Sequence, residues 1–255
     1  MNTIKPIIAT IAVTGALTFA NATVASSICK KTFTSGAGST KFEWRFSNDG
    51  NIVNLEHPEG LEHVRIGTIT EGYCVSAGGS KRGESFGSQA NSMLQEAKGA
   101  GRKVRHDTAD GTLRIEQLFK DTKYRNNKEV SIEITMKVKN LTNGPLTDVF
   151  LTRFIDADIS NSTGSDVWVS AGRSPSVSEP GSARLDLIPT TKTYPADSLI
   201  YASFSPVTDA ACYDTVADAL QQGTADDRAM GVRYQLGSID RRRSKTVKFV
   251  YHINL

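Results

Sequence analysis

The sequence predicts an all-β protein, a large antiparallel two-sheet β-sandwich with long loops and one or two short helices. Three observations lead to this class. Residues 130–138 alternate strictly between apolar and polar side chains, which is typical of a strand with one buried and one solvent-facing side. Turn sequences such as Asn48-Asp49-Gly50 separate further β-rich runs. Stretches with helical periodicity are sparse.

The most regular stretch of the chain, residues 129–158, is expected to form the centre of the sheet structure. Its alternating first half is followed by Asn143-Gly144-Pro145, residue types that reverse the chain direction. A second β-rich run, Leu146 to Ile155, comes next. We expect the two runs to pair side by side as a central hairpin.

The rest of the chain predicts an antiparallel meander interrupted by two long excursions. Strands are expected at 40–47, 51–56, 63–70 with a continuation at 72–77, 103–108, 112–119, 166–170, 198–205, 230–236 and 245–253. The glycine-rich segment 78–103 and the proline- and glycine-rich segment 159–195 are expected to be exposed loops. Short helices are expected at 89–98 and 208–222.

The N-terminus has the order of a secretory signal peptide. Lys5 precedes a largely apolar run, and Ala20-Asn21-Ala22 is a small-residue cleavage site. The apolar run is shorter than the roughly 20 residues that span a bilayer. We therefore expect residues 1–22 to be removed, with cleavage after Ala25 as an alternative. Residues 23–255 are then a single β-sandwich domain, secreted or periplasmic, with no membrane span.

The charge balance argues against a general polyanion-binding protein. Lys and Arg number 30 against 27 Asp and Glu, which gives a net charge of +3. Loss of the leader removes one lysine, and we expect no nucleic-acid partner. The most basic cluster, 241–245, has two interpretations. It is a solvated turn whose charges protect a sheet edge, which we favour, or a patch for an anionic polymer.

Three cysteines, Cys29, Cys74 and Cys212, are expected to form one disulfide in an oxidising compartment. Three pairings are open. We favour Cys74 with Cys212, because each lies beside a tyrosine in a segment expected to be ordered. Such a bridge would stabilise the fold by about 2–4 kcal/mol.

The best candidate site is the acidic segment that follows the central strands. Asp156 and Asp158 lie two residues apart at a strand end, and Asn161 and Asp166 follow on the loop. A cluster of oxygen ligands suits Ca²⁺, the candidate cofactor, although the spacing of an EF-hand is absent. The alternative is that these residues cap a strand and turn the chain.

The candidates for ligand binding and catalysis are less specific. Trp168 lies just after the acidic segment and is a candidate for stacking on a sugar ring, together with Asp156 and Asp158 as ligand-binding residues. Catalytic residues are unknown. A carboxylate pair could serve a glycosidase, and a histidine with a carboxylate could transfer protons at a sugar carbon. We expect the four histidines, residues 57, 63, 106 and 252, to face solvent.

Three functions follow from these features. The first is a secreted β-sandwich that binds a ligand or partner, such as a carbohydrate or a protein, through its loops at 78–103 and 156–195. The second is an extracellular carbohydrate-active enzyme, a hydrolase or an epimerase, that uses the carboxylates Asp156 and Asp158. The third is a structural or adhesion protein in which calcium only stabilises the fold. We favour the first.

Overall fold

The protein is all-β in the part of the chain that the structure describes. The computed structural model describes residues 29–64, 71–86, 102–123, 128–159, 167–171, 173–179, 181–201 and 229–255. The predicted helices at 89–98 and 208–222 and the predicted leader lie outside these ranges. No helix among the described residues is long and apolar enough to cross a membrane.

Antiparallel strands in these ranges form three sheets. The four-stranded sheet has the order β1 (Cys29–Ser35), β2 (Phe42–Ser47), β3 (Ile52–Glu56), β4 (Glu62–Val64). The five-stranded sheet has the order β14 (Ala196–Tyr201), β15 (Ala229–Ile239), β10 (Leu146–Ile155), β5 (Glu71–Ala77), β6 (Ser80–Phe86). The seven-stranded sheet has the order β11 (Val167–Ala171), β12 (Ser174–Ser178), β13 (Arg184–Pro189), β16 (Ser244–Asn254), β9 (Glu129–Asn140), β8 (Leu113–Lys123), β7 (Lys103–Asp107). A short 3₁₀ turn, Gly38–Thr40, lies between β1 and β2.

The predicted sandwich is confirmed, with the five- and seven-stranded sheets packed face to face. Apolar residues at alternate positions of β9 and β10 belong to one buried core. Across this core the rings of Tyr234 and Phe249, one from each sheet, meet edge to face with centroids 5.1 Å apart. This is the expected geometry of two sheets that bury their apolar faces against each other.

The four-stranded sheet packs on the sandwich through aromatic rings. Trp44 and Phe46 of β2 are fully buried, and the Phe46 ring stacks on Phe119 of β8 with centroids 4.6 Å apart. Phe33 of β1 stacks in turn on Trp44 at 4.5 Å. These contacts fix the β2–β3 hairpin, with its turn at 48–50, against the seven-stranded sheet.

The prediction that β9 and β10 form a central hairpin is wrong. β9 pairs with β8 and β16, whereas β10 pairs with β5 and β15, so the link between them crosses from one sheet to the other. Each strand has a strongly apolar face, and the two faces are buried against each other only when the strands lie in opposite sheets. The Asn140 side chain holds the crossover by donating to the carbonyls of Gly144 and Ile239 at 2.8 and 2.9 Å.

The two predicted excursions contain strands. β5 and β6 form a tight hairpin whose two loop residues, Gly78 and Gly79, both have positive φ. A two-residue hairpin turn of this type requires positive φ at both positions, which glycine adopts without strain. The second excursion contains the consecutive strands β11, β12 and β13.

The basic cluster forms the turn between β15 and β16, as predicted, and its arginines are exposed. The expected role of its charges, protection of a sheet edge, is wrong. β16 lies between β13 and β9 in the interior of the seven-stranded sheet, so the charges protect no sheet edge. The alternative interpretation, a patch for an anionic polymer, stays open.

Candidate functional site

The outer face of the seven-stranded sheet carries a groove of about 520 Å³. This volume lies within the usual range of ligand sites, about 300–1,000 Å³. It is lined by residues of β7, β8, β9 and β16, namely Lys103, Val104, Arg105, Glu116, Gln117, Leu118, Thr135, Lys137 and Thr246. The groove therefore lies on a rigid sheet surface and not on the loops that the sequence favoured.

Strand register sets the chemistry of the groove. Side chains two residues apart on a strand share a face, and neighbouring strands lie about 4.8 Å apart, so register neighbours form rows across the sheet. Two such rows run through the groove: Arg105, Glu116, Lys137 and Thr246 in one, and Lys103, Leu118 and Thr135 in the other, which continues to Lys248 beyond the lining. The groove thus presents cations and hydroxyls around one exposed apolar side chain, Leu118, since the other apolar lining residue, Val104, is buried.

Leu118 is the apolar centre of this surface. It is 43% exposed, the one large hydrophobic side chain that is exposed among the described residues. An isolated exposed leucine is ordinary, but this one lies inside a concave site among polar neighbours. The sequence carries a signal for it, because Leu118 occupies a position on β8 where the alternation predicts a polar residue.

The charges of the groove are only partly neutralised. Lys137 Nζ lies 3.2 Å from Glu116 Oε2, and both side chains are over a third exposed, so this ion pair is weak. Arg105 has no ion-pair or hydrogen-bond partner in the part of the chain that the structure describes. The guanidinium is therefore available to a ligand.

A fully buried ion pair lies beneath the groove, between the two large sheets. Arg153 Nε of β10 lies 2.6 Å from Glu71 Oε1 of β5, and both side chains are 0% exposed. The Tyr251 hydroxyl of β16 donates to the same carboxylate at 2.7 Å, and the Ile52 amide of β3 donates at 2.6 Å. Four strands from all three sheets meet at this carboxylate.

Burial determines the electrostatics of this ion pair. It raises the pKa of Glu71 to about 7, while the Arg153 guanidinium and the converging donors act to lower that pKa. Burial also raises the pKa of the Tyr251 hydroxyl well above its usual value. Since the cation and the donors all favour the ionised carboxylate, we interpret this cluster as a structural network.

Gln117 connects the buried ion pair to the hairpin turn of the four-stranded sheet. Its amide donates to the Asp49 carbonyl at 3.0 Å and accepts from Arg153 Nη1 at 2.9 Å. Arg153 Nη2 also donates to the Gly50 carbonyl at 3.2 Å. Gln117 is itself one of the residues that line the groove, so the network holds the groove in place from below.

The structure brings two histidines close to carboxylates, as the proton-transfer hypothesis required. His252 of β16 lies 3.7 Å from Glu129 Oε2 and 3.7 Å from Asp186 Oδ2. His106 Nε2 lies 3.8 Å from Asp49 Oδ1, and burial raises the pKa of Asp49 while His106 lowers it. The imidazole is only 1% exposed, however, so we assign this pair to the packing of the hairpin turn.

The expectation that the histidines face solvent is wrong for three of them. His57, His63 and His106 are buried, and only His252 is partly exposed. His57 Nδ1 donates to the Lys41 carbonyl at 2.8 Å, and His63 Nε2 donates to the His57 carbonyl at 2.8 Å. His57 and His63 belong to the β3–β4 hairpin of the four-stranded sheet, and His106 belongs to β7.

His63 should make the protein less stable in acid. Burial lowers its pKa to about 4, and its Nδ1 has no hydrogen-bond partner in the described structure. The unfolded chain therefore takes up a proton as the pH falls from about 6.5 to about 4, and the folded chain does not. Stability should fall in this window by up to about 3 kcal/mol.

The measurement is chemical unfolding of His63→Gln beside the wild type between pH 7 and pH 4. The variant keeps a donor for the His57 carbonyl and should lose the His63 part of the pH dependence. Glu71 has a raised pKa, so its protonation adds stability as the pH falls, opposite to the effect of His63. The quantity that isolates His63 is therefore the difference in unfolding free energy between the variant and the wild type. Parallel pH profiles would contradict the prediction.

The residues predicted as a calcium and ligand site are only partly described. Asp156 and Asp158 directly follow β10 and are half-buried, whereas Asn161 and Asp166 lie outside the described residues. No group of three or more potential ligating side chains (His, Cys, Asp or Glu) occurs among the described residues. Calcium binding and catalysis by these carboxylates stay predictions.

Trp168 and Cys74 are both buried. Trp168 is 2% exposed and packs in the core of the sandwich, so its ring does not line the groove, and its role in ligand binding stays a prediction. Cys74 of β5 is 1% exposed and disulfide-bonded. Its pairing with Cys212 stays a prediction, because Cys212 lies outside the described residues.

Comparisons with known proteins support the fold and leave the function open. No family model and no curated protein matches the sequence. Among solved structures, the chain is similar to a bacterial glucoamylase complexed with acarbose, with a TM-score of 0.54 and 12% sequence identity. The match covers 90% of this chain and 32% of the glucoamylase, so this protein spans about a third of its length. The likeness shows the fold alone.

Proposed function

We propose that the protein is an exported carbohydrate-binding protein and that the groove on the seven-stranded sheet is its binding surface. The groove is the observation that carries this proposal. It is concave, lies on a rigid sheet and combines an exposed leucine with hydroxyls and cations. The similar fold within a glucoamylase, a carbohydrate-active enzyme, supports the same class of ligand.

Filling the groove tests this proposal. Thr246 lines the groove, is exposed and lies on the outer face of β16. Thr246→Trp should block the site and weaken glycan binding by about tenfold or more. The measurement is a binding screen of the mature protein against a broad polysaccharide set, followed by titration of each hit with the variant.

A matched variant controls for the added ring. Asn254 is also exposed on the outer face of β16, eight residues further along the strand, or about 27 Å away. Asn254→Trp should bind like the wild type, and both variants should keep the wild-type melting temperature. Equal binding by all three proteins would place the binding surface elsewhere.

Running the screen with Ca²⁺ and again with EDTA distinguishes binding in the groove from binding at the acidic segment around Asp156 and Asp158. Binding in the groove should be the same in both buffers, since the groove residues include a single carboxylate. A calcium-dependent hit that is lost in Asp156→Ala and kept in Thr246→Trp would favour the acidic segment instead.

A further inference from the structure

The outer face of the seven-stranded sheet is strongly basic around the groove. A third row of register neighbours, Asp107, Arg114, Lys139 and Ser244, lies beside the two rows that form it. The three rows together carry six basic and two acidic side chains. This excess of positive charge is local, because the whole chain is almost balanced.

The two carboxylates of these rows are already engaged. Asp107 accepts two hydrogen bonds from Arg114, at 2.6 and 2.7 Å, and Glu116 pairs with Lys137. Arg105 and Lys139 have no such partner within the described ranges. Unpaired cations therefore remain on two of the three rows.

The arginine turn extends this basic surface. Ser244 is the register neighbour of Lys139, so the turn at 241–243 begins directly beside the third row. Arg241 and Arg243 are exposed, and neither side chain has a partner among the described residues. A path of free cations thus runs from Arg105 through Lys139 to the turn.

We propose that the groove and the arginine turn form one track for an anionic polysaccharide, a chain that carries carboxylate or sulfate groups. The inference rests on the proposed function and names its ligand class. Arg105, Lys139 and the turn arginines would pair with the acidic groups, while Leu118 and the threonines contact the sugar rings. Arginine suits this task because its guanidinium binds carboxylate and sulfate oxygens in pairs.

The composition of the groove favours this ligand over a neutral glycan or a nucleic acid. None of the nine lining residues is aromatic. Binding sites for neutral sugars and for single-stranded nucleic acids use aromatic rings as stacking surfaces. Here charge and hydroxyl contacts must provide the recognition, so the acidic groups of the ligand should dominate its affinity.

The test compares pairs of polymers that share a backbone and differ in charge. Carboxymethyl-cellulose is compared with hydroxyethyl-cellulose, and pectate with fully methyl-esterified pectin, by calorimetry with the full mature protein. The anionic member of at least one pair should bind about tenfold or more tightly. Its affinity should fall as NaCl rises from about 50 to about 500 mM, since exposed charges are screened.

Charge reversal locates the track. Arg105→Glu should weaken binding to the anionic polymer by about tenfold or more. Arg184 lies on the same sheet face, in register with Asn254 at the far end, so Arg184→Glu is the matched control and should bind normally. Equal loss in both proteins would show a non-specific charge effect and overturn the track.

The remaining outcomes are distinct. Equal, salt-insensitive binding to both members of a pair overturns the anionic ligand and leaves carbohydrate binding intact. Binding to no member of either pair and to nothing in the polysaccharide set overturns the proposed function itself. Tighter binding to a duplex DNA oligonucleotide than to any anionic glycan would assign the track to nucleic acid and overturn the inference.

Discussion

Replacing Arg153 with alanine is expected to destabilise the protein by about 3–5 kcal/mol, because it leaves the Glu71 carboxylate buried without its cation. The change also removes the donors to Gln117 and to the Gly50 carbonyl. All three sheets lose a shared contact. Urea unfolding at neutral pH, followed by circular dichroism, measures the effect.

Two further variants test whether burial is the cause of this loss of stability. Arg184 pairs with Asp186 at 2.8 Å, but its side chain is 55% exposed, so Arg184→Ala should cost less than about 1 kcal/mol. The double variant Glu71→Leu with Arg153→Met removes both buried charges and should recover much of the lost stability. If Arg153→Ala and Arg184→Ala cost the same, the buried ion pair does not join the sheets.

Gly50→Ala is the second change with a large expected effect. Gly50 has φ of +85°, and a Cβ there would lie 2.2 Å from Gln117 Nε2. The Gln117 side chain is 2% exposed and hydrogen-bonded at both of its polar atoms, so it has no free direction in which to move. Backbone strain and broken hydrogen bonds together should cost about 3 kcal/mol or more.

Gly60 provides the matched control. It also has φ of +85°, but a Cβ there meets nothing within 4 Å. Gly60→Ala should therefore show the cost of the positive φ alone, about 1–2 kcal/mol. The two free energies of unfolding are measured side by side. Equal losses would mean that Gln117 yields to the methyl group and that the network is adaptable.

Local pattern was enough to predict most strands but not their partners. The period of two in β9, the Asn48-Asp49-Gly50 turn and the β7–β8 hairpin are encoded by neighbouring residues, and the structure confirms them. The pairing of β10 with β5 and β15 depends on which apolar faces meet across the core. That is decided by residues far apart in the chain.

The candidate site was harder to predict, for the same reason. Glu71 and Tyr251 touch across 180 positions of sequence, which no local pattern reveals. One signal existed: Arg153 lies between Leu151 and Ile155 at a position where the alternation of β10 predicts an apolar residue. A charge at such a position predicts a buried partner, but it does not name the partner.

The measurement that tests the binding surface most directly is a nuclear magnetic resonance titration. The ¹⁵N-labelled mature protein is titrated with an oligosaccharide cut from the polysaccharide that binds most tightly. We predict that the shifted amides cluster at Arg105, Leu118, Lys137 and Thr246 on the outer face of the seven-stranded sheet. Shifts concentrated around Asp156 and Asp158, with the groove unchanged, would contradict the assignment.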